Sequence, residues 1–382
     1  MKTWNIRKYK FPIPLYSSDP YAKLLRRPVD AKGVFAWIKK GGVIGAVALL
    51  LMMFGCDSSA SLPGSPATDP TMSAGIASEE TATAAVVSDR EFTLGFSQLG
   101  SESDWRLANT DSVKEAAAEA GIRLRFDNAE QSQTKQFEAI RRFIGEKVDV
   151  IAIAPVVQSG WEPILKEAKQ AGIPVILSDR NVEVSDPSLY VTFIGSDFTE
   201  EGRKAGKYLL DKTRDFAGPV GIAELKGTEG SSPSIERGKG FREIMAKRED
   251  LVILESEYAD FTQEQGKEAM RSFLNKRGRD IRVLFAHNDD MALGAIEAIE
   301  EYGLEPGKDI VIISVDGTRK AFEMMAEGKI NCVVECNPLL GPNLMQAVKE
   351  LMAGRTLPKR IITPESVFTE EMAEKEAAGR KY

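Results

Sequence analysis

The stretch "VDVIAIAPVVQSGWEPILKEAKQAGIPVILSD", Val148 to Asp179, decides the fold. It opens with a nearly continuous apolar run that stops at Pro155, as a strand covered on both faces of its sheet would. "WEPILKEAKQAG" then places apolar residues at helical spacing and closes on Gly172, a residue suited to the left-handed turn after a helix. "IPVILSD" starts a second strand. Strand, helix and strand of these lengths imply a right-handed crossover and a parallel sheet.

The same alternation extends in both directions. Upstream, "FTLGFSQL" reads as a strand, Asp104 to Ala120 as a helix ending at Gly121, "IRLRFDN" as a strand and Gln131 to Glu146 as a helix. Downstream, "PVGIAELKG", "LVILESEYA", "IRVLFAHN" and "DIVIISVDG" each lead into a helical segment. "NCVVECNP", a helix from Leu340 to Ala353 and a last strand near Ser366 to Thr369 complete the chain. The expected fold is α/β: two doubly wound parallel-sheet lobes in tandem, linked by a hinge.

Composition narrows the function. A chain of 382 residues is suited to about two domains. Its net charge of −7 offers no attraction to phosphate backbones, so nucleic acid is not expected as a partner. A single histidine, His287, disfavours a histidine-based triad or a multi-histidine zinc site. Cys332 and Cys336 lie four apart on one strand, about 13 Å, too far for a disulfide, and are expected in the core.

The first 90 residues are different. "WIKKGGVIGAVALLLMMFGC" has a basic start, a short apolar centre and a small residue before Cys56. It is too short for a spanning helix and reads as a secretory signal, with an uncleaved membrane anchor as the alternative. "MFGC" resembles a bacterial lipobox, which implies lipidation at Cys56. Residues 57–90 are rich in Ser, Ala, Thr and Pro and read as a flexible tether. The folded part is expected from residue 91 and, with it, an extracytoplasmic location.

In open parallel sheets the ligand crevice lies beyond the carboxyl ends of the strands. Those ends carry Ser101, Glu102, Trp105 and Arg106 after the first strand and Asp179 and Arg180 after "PVILS". Asn288 follows "VLFAH", and Asp316 follows "IISV". Carboxylates, amides and guanidinium forks can each hold neighbouring hydroxyls, and an indole can cover an apolar C–H face. This pattern suits a sugar, with Trp105 stacking and Glu102 and Arg106 gripping hydroxyls. Asp104, or Ser103 in competition, is expected to cap its helix, and Asp289 to cap the helix after "HNDD". Neither a metal nor a cofactor is expected.

The segments "GFSQLGSESDWR", "IAPVVQSGWEPILKEAKQAGIPVILSDR", "SIERGKGF", "AHNDDMALGAIEAI" and "SVDGT" resemble the ribose-type periplasmic sugar-binding proteins of ABC importers, particularly the galactofuranose-type branch. The resemblance spans Phe92 to the C-terminus. It adds Arg237 and Glu335, the latter near the hinge, to the ligand-binding residues above. It also implies two lobes, 91–196 with 337–356 and 197–336 with 357–382, joined by three crossings. The implied function is non-enzymatic: a monomer, held to the membrane by lipid, closes on a monosaccharide and delivers it to a permease driven by an ATPase. A sensor presenting the sugar to a histidine kinase or chemoreceptor is the alternative. A repressor would need a helix-turn-helix before residue 91, and an enzyme would need its paired carboxylates free for chemistry.

Overall fold

A computed structural model of the chain describes residues 91–382. The expected signal segment, Cys56 and the expected tether lie outside the described residues. Among those described, no helix is long and apolar enough to cross a membrane.

The first half runs β1 (Thr93–Gln98), α1 (Asp104–Ala120), β2 (Arg123–Asn128), α2 (Gln133–Glu146), β3 (Val150–Ile153), α3 (Glu162–Gln170), β4 (Val175–Ser178) and β5 (Thr192–Gly195). The second half runs α4 (Phe198–Lys212), β6 (Val220–Lys226), α5 (Ser232–Met245), β7 (Leu251–Tyr258), α6 (Gln263–Arg277), β8 (Ile281–Ala286), α7 (Asp289–Glu301), β9 (Val311–Asp316), α8 (Arg319–Ala326) and β10 (Cys332–Glu335). The chain then returns through α9 (Gly341–Met352), β11 (Arg360–Ile362), β12 (Val367–Thr369) and α10 (Ala373–Gly379).

Two six-stranded sheets result, in the orders β11-β5-β4-β3-β1-β2 and β12-β10-β9-β8-β6-β7. Pairing is parallel except between β10 and β12. Both faces of each sheet are covered, which is why the inner strands are apolar throughout. In the first sheet, Val113 and Ala116 of α1 pack with Leu344 and Val348 of α9 on one face. Ile140, Phe143, Ile164 and Leu165 of α2 and α3 cover the other. In the second sheet, Met270, Phe273, Ile299 and Phe322 fill one side, and Leu209, Phe241 and Phe285 the other. Each such side chain contributes roughly 1.5–3 kcal/mol on burial.

Two strands were not visible in the sequence: β5, and β11, which pairs parallel to β5 in the first sheet. The third crossing therefore lies after Ile362. Residues 360–362, expected in the second lobe, belong to the first sheet instead. The remaining C-terminal strand, β12, adds to the second sheet. Cys332 and Cys336 are buried and unbridged.

The caps differ in detail from expectation. Ser103, not Asp104, caps α1, its hydroxyl accepting from the Arg106 amide at 3.1 Å. Asn288, not Asp289, caps α7, accepting from the Met291 amide at 3.0 Å. Asp289 instead holds the turn after β9, accepting from Ser314 Oγ at 2.5 Å and from the Gly317 and Thr318 amides at 2.8 and 2.7 Å.

Candidate ligand cavity between the lobes

Each sheet reverses its strand order beside its first strand, β1 in one and β6 in the other. Loops at these points part from one another and leave a crevice. Here the two crevices face each other across one cavity of about 290 Å³ of empty volume. The lobes touch around it. Asp104 pairs with Lys320 at 2.7 Å, the Gln158 amide donates to Gly230 O at 2.8 Å, and the Asn181 amide donates to Ser232 Oγ at 3.0 Å. This is a closed arrangement.

Glu102, Trp105, Arg106, Asp179 and Arg180 line the cavity from the first lobe, and Arg237, Asn288 and Asp316 from the second. Ser101 does not: it is exposed, and Ser103 lines the wall in its place. Glu335 does not either. Its carboxylate accepts from the Ser366 amide at 3.0 Å and pairs with Arg380 at 2.8 Å. Neighbours on a strand point to opposite faces, so Cys336 meets the cavity while Glu335 turns away. Sequence reasoning also missed Phe198, Pro233 and Phe261, which line the cavity too.

The charges form an interlocked set. Arg106 donates through Nε to Glu102 Oε1 at 3.1 Å and pairs through Nη2 with Asp179 Oδ2 at 2.7 Å. Burial opposes its charge, but Asp179 and Glu102 more than offset this and leave the guanidinium above its ordinary pKa. Arg180 donates to Val156 O at 3.0 Å and stands 3.9 Å from Glu102 and 3.8 Å from Asp179. Burial, and then Arg106, lower it to about 10. In the second lobe Arg237 donates to Glu201 Oε2 at 2.7 Å and to His287 O at 2.5 Å, with Asp316 at 3.8 Å. Burial raises the Asp316 carboxyl well above its usual range, although Arg237 pulls the other way.

Each guanidinium also lies over an aromatic ring: Arg106 over Trp105 at 4.7 Å, Arg180 over Phe261 at 5.1 Å, and Arg237 over Phe198 at 5.2 Å. The ring faces partly replace the water that buried cations lose. Trp105 does more than line the cavity. It belongs to the apolar cluster of the second lobe that also holds Phe198, Phe241 and Val315, and its Nε1 donates to Cys336 O at 2.6 Å. It leaves the first lobe and seats in the second.

Two carboxylates stand on unusual backbone. Asp179 has φ 64° and Asp316 φ 127°, conformations that cost a side-chain-bearing residue about 1–3 kcal/mol. Each follows the last residues of an apolar strand, and the turn there directs the carboxylate into the cavity.

The helix pair that carries Arg237 is held unusually close. A Cβ added at Gly202 of α4 would lie 2.1 Å from Arg237 O, and one at Gly240 of α5 would lie 2.0 Å from Thr199 O. Glycine at both positions lets α4 and α5 touch backbone to backbone, which sets Glu201 against Arg237.

Three carboxyl groups (Glu102, Asp179, Asp316) and three guanidiniums (Arg106, Arg180, Arg237) line the walls, so hydrogen-bond donors and acceptors converge on the cavity from both lobes. Its chemistry suits a neutral ring bearing many hydroxyls.

Known proteins agree with this geometry. Residues 94–356 match the family described as a periplasmic binding protein domain. The galactofuranose-binding protein YtfQ of Escherichia coli is 41% identical over 292 residues, 76% of this chain and 91% of that protein. A crystal structure from Mycobacterium smegmatis in complex with β-D-fucofuranose superposes with a TM-score of 0.74 at 50% identity, covering 76% of this chain and 95% of that one. The binding component of an arabinose ABC transporter from Shewanella sp. ANA-3, bound to α- and β-L-arabinofuranose, gives 0.73 at 47% identity, covering 76% and 95%.

Proposed function

The chain belongs to the periplasmic binding protein family, as an extracytoplasmic sugar-binding protein of the ABC-importer type and not an enzyme, and we propose that its own ligand is a neutral monosaccharide in the furanose form. The observation that carries this reading is the cavity shared by the two lobes, lined by carboxyl groups and guanidiniums and backed by aromatic rings. Guanidinium forks and carboxylates suit vicinal hydroxyls, whereas the carboxyl groups of Glu102 and Asp179 beside Arg106 would oppose a phosphate. Two of the similar solved structures hold furanoses, fucofuranose and arabinofuranose, which supports the furanose form.

The ligand contacts in this reading are Glu102, Ser103, Trp105, Arg106, Asp179 and Arg180 from the first lobe and Arg237, Asn288, Asp316 and Phe261 from the second. The lobes are residues 91–195 with 338–362, and 197–336 with 366–382. Sugar bound between them favours the closed form, because only that form lets both walls touch it. The closed monomer then docks on a membrane permease powered by an ATPase. Lipid on Cys56 holds it nearby and raises its effective concentration. A sensory role is the less supported reading.

A thermal-shift panel of L-arabinose, D-fucose, D-galactose, D-fructose and D-ribose tests the ligand, since a ligand specific for the native state raises the melting temperature. A rise with furanose-forming sugars and none with the corresponding phosphates is expected. A response to phosphates alone would overturn the reading. For the anchor, Cys56→Ala is expected to move the protein from the membrane to the soluble fraction.

A further inference from the structure

The chain crosses between the lobes three times: at Ser196–Asp197 after β5, at Cys336–Asn337 after β10, and at Thr363–Ser366 between β11 and β12. One carboxyl gathers all three. Glu365 Oε1 accepts from the Ser196 hydroxyl of the first crossing, from the Asn337 amide of the second at 3.4 Å, and from Thr363 Oγ1 of its own at 3.1 Å.

Facing it is Glu201 on α4, fully buried. Glu201 Oε2 accepts from Arg237, which lines the cavity, at 2.7 Å. Glu201 Oε1 is buried and receives no hydrogen bond from an amide, hydroxyl or cation among the described residues. The carboxyl groups of Glu201 and Glu365 lie within 4.8 Å of each other.

The surrounding groups do not neutralise two negative charges here. From α4, Lys204 spends its ammonium on the backbone carbonyl of Glu365 at 2.8 Å. From the second crossing, Cys336 has a thiol that burial keeps well above its ordinary pKa, hence neutral. From α5, Arg237 is one cation, shared with Asp316 on its far side. Ser196 and Thr363 do not titrate. Two carboxylates this close in a dry site cannot both stay ionised. Burial, and then the charge of Glu201, push the Glu365 carboxyl up to about 9.

We infer that Glu201 is a positioning residue for Arg237, and that one proton, carried by Glu365 and donated to Glu201 Oε1, fastens the three crossings in the closed arrangement. The hinge and the ligand-facing guanidinium then share one chain of contacts: Thr363 and Ser196 to Glu365, Glu365 to Glu201, Glu201 to Arg237. Loss of the proton sets two carboxylates against each other at the hinge and loosens Arg237 at the cavity wall. Ligand retention falls as the pH rises.

The inference rests on the cavity being a sugar site, so its test separates the two. Affinity for the best-binding sugar of the panel is measured by calorimetry from pH 6 to pH 10, for the native chain and for Glu365→Gln. The amide mimics the protonated acid and does not titrate. The native Kd is expected to rise with pH, by up to about tenfold per unit at the steepest. Glu365→Gln is expected to bind within about threefold of the native chain at pH 6 and to lose much less affinity at alkaline pH. Asp290 and Arg180 titrate in both proteins, so the difference between the profiles is the readout. Parallel profiles would overturn the inference.

A second measurement needs no variant. Calorimetry at pH 8.5 in two buffers of different ionisation heat is expected to show proton uptake on binding, and zero uptake would overturn the inference. A native affinity that falls with chelator and recovers with zinc would put a cation between the two carboxylates instead of a proton, with the same consequence. Should no sugar bind, the cavity reading fails, and the hinge is judged by the unfolding of the unliganded proteins. Glu365 has a raised pKa in the folded state, so its contribution is present below the ordinary carboxyl range and is lost as pH rises through about 9. The native melting temperature should therefore fall relative to that of Glu365→Gln between pH 5 and pH 9. A constant difference would refute the hinge proton independently of any ligand.

Discussion

The two walls of the cavity hold their charges in different ways. On the first-lobe wall Arg106 and Arg180 share Glu102 and Asp179, and all four side chains line the cavity. Their segments are short turns at the ends of β1 and β4. On the second-lobe wall Arg237 takes its closest carboxylate from Glu201, which lines no part of the cavity. The first wall is compensated within itself. The second is compensated from behind, through two helices pressed together at Gly202 and Gly240. Binding strength on the first wall is a local property of its turns, whereas on the second it depends on helix packing and on the hinge.

The largest expected effect strikes that packing. Gly202→Ala puts a methyl 2.1 Å from Arg237 O, against backbone that cannot step aside. Overpacking of this kind costs about 1–3 kcal/mol, so denaturant unfolding should show a loss near the top of that range, with sugar binding lost alongside. Gly145→Ala, in a first-lobe helix with nothing within 4 Å, should be neutral or slightly stabilising. Equal effects would break the contrast between the walls.

Next comes Trp105→Ala, which empties part of the cavity wall and removes the hydrogen bond to Cys336 O. Buried aromatic anchors of this type are worth roughly 2–4 kcal/mol in binding. Sugar affinity by calorimetry should fall about a hundredfold while the far-ultraviolet circular dichroism stays native. Unchanged affinity would remove Trp105 from the ligand contacts and leave it as a strut between lobes.

A smaller effect sits at the edge of the cleft. Asp290, behind Asp104, is pushed up to about 7 by burial and then by the Asp104 charge. A raised carboxyl gives its stability below the ordinary range, about 3.9, and loses it as pH rises through about 7. Asp290→Asn should therefore melt higher than the native chain at pH 8, by roughly 2–4 °C per kcal/mol recovered, and match it near pH 4. A gain that is the same at both pH values would assign the effect to something other than this titration.

The smallest is Ser101→Ala. The residue is exposed and outside the cavity, so affinity should change by less than about twofold. A large loss would move the first wall outward by one turn of loop.

What the sequence displayed follows from how each element is buried. Strands enclosed on both faces, such as β3 and β8, announce themselves as unbroken apolar runs. β11 is three residues long, at the edge of its sheet and largely exposed, so it leaves no such mark, and the lobe boundary was misplaced with it. Asp179, Arg180 and Asp316 were legible because a carboxylate or guanidinium at the end of an apolar strand has few structural reasons to be there, whereas Arg237, inside α5, was supplied by the family resemblance alone. Phe261 was hidden for the opposite reason: a phenylalanine in a loop looks like core. Glu201 was hidden too. It sits among charged residues at the start of α4, where a glutamate normally meets solvent and the helix dipole. Only the fold shows that this one faces inward. Glu335 was expected at the cavity and its neighbour Cys336 meets it instead; one step along a strand separates them, which residue types alone do not fix.

The backbone at Asp316 sets a trap for a drifting sequence. Glycine is the residue that relieves such a conformation, and burial already works against this carboxyl, so a single substitution there would make the protein harder to unfold. It would also erase a hydrogen-bonding group from the cavity. Asp179 is strained too, but its loss would strand the buried Arg106 guanidinium. Under selection for robustness alone, position 316 would slide towards glycine and leave a sturdier shell with a weaker grip. Keeping aspartate there therefore requires continuing demand for the bound molecule, and a screen that rewards only heat resistance should recover the silent form.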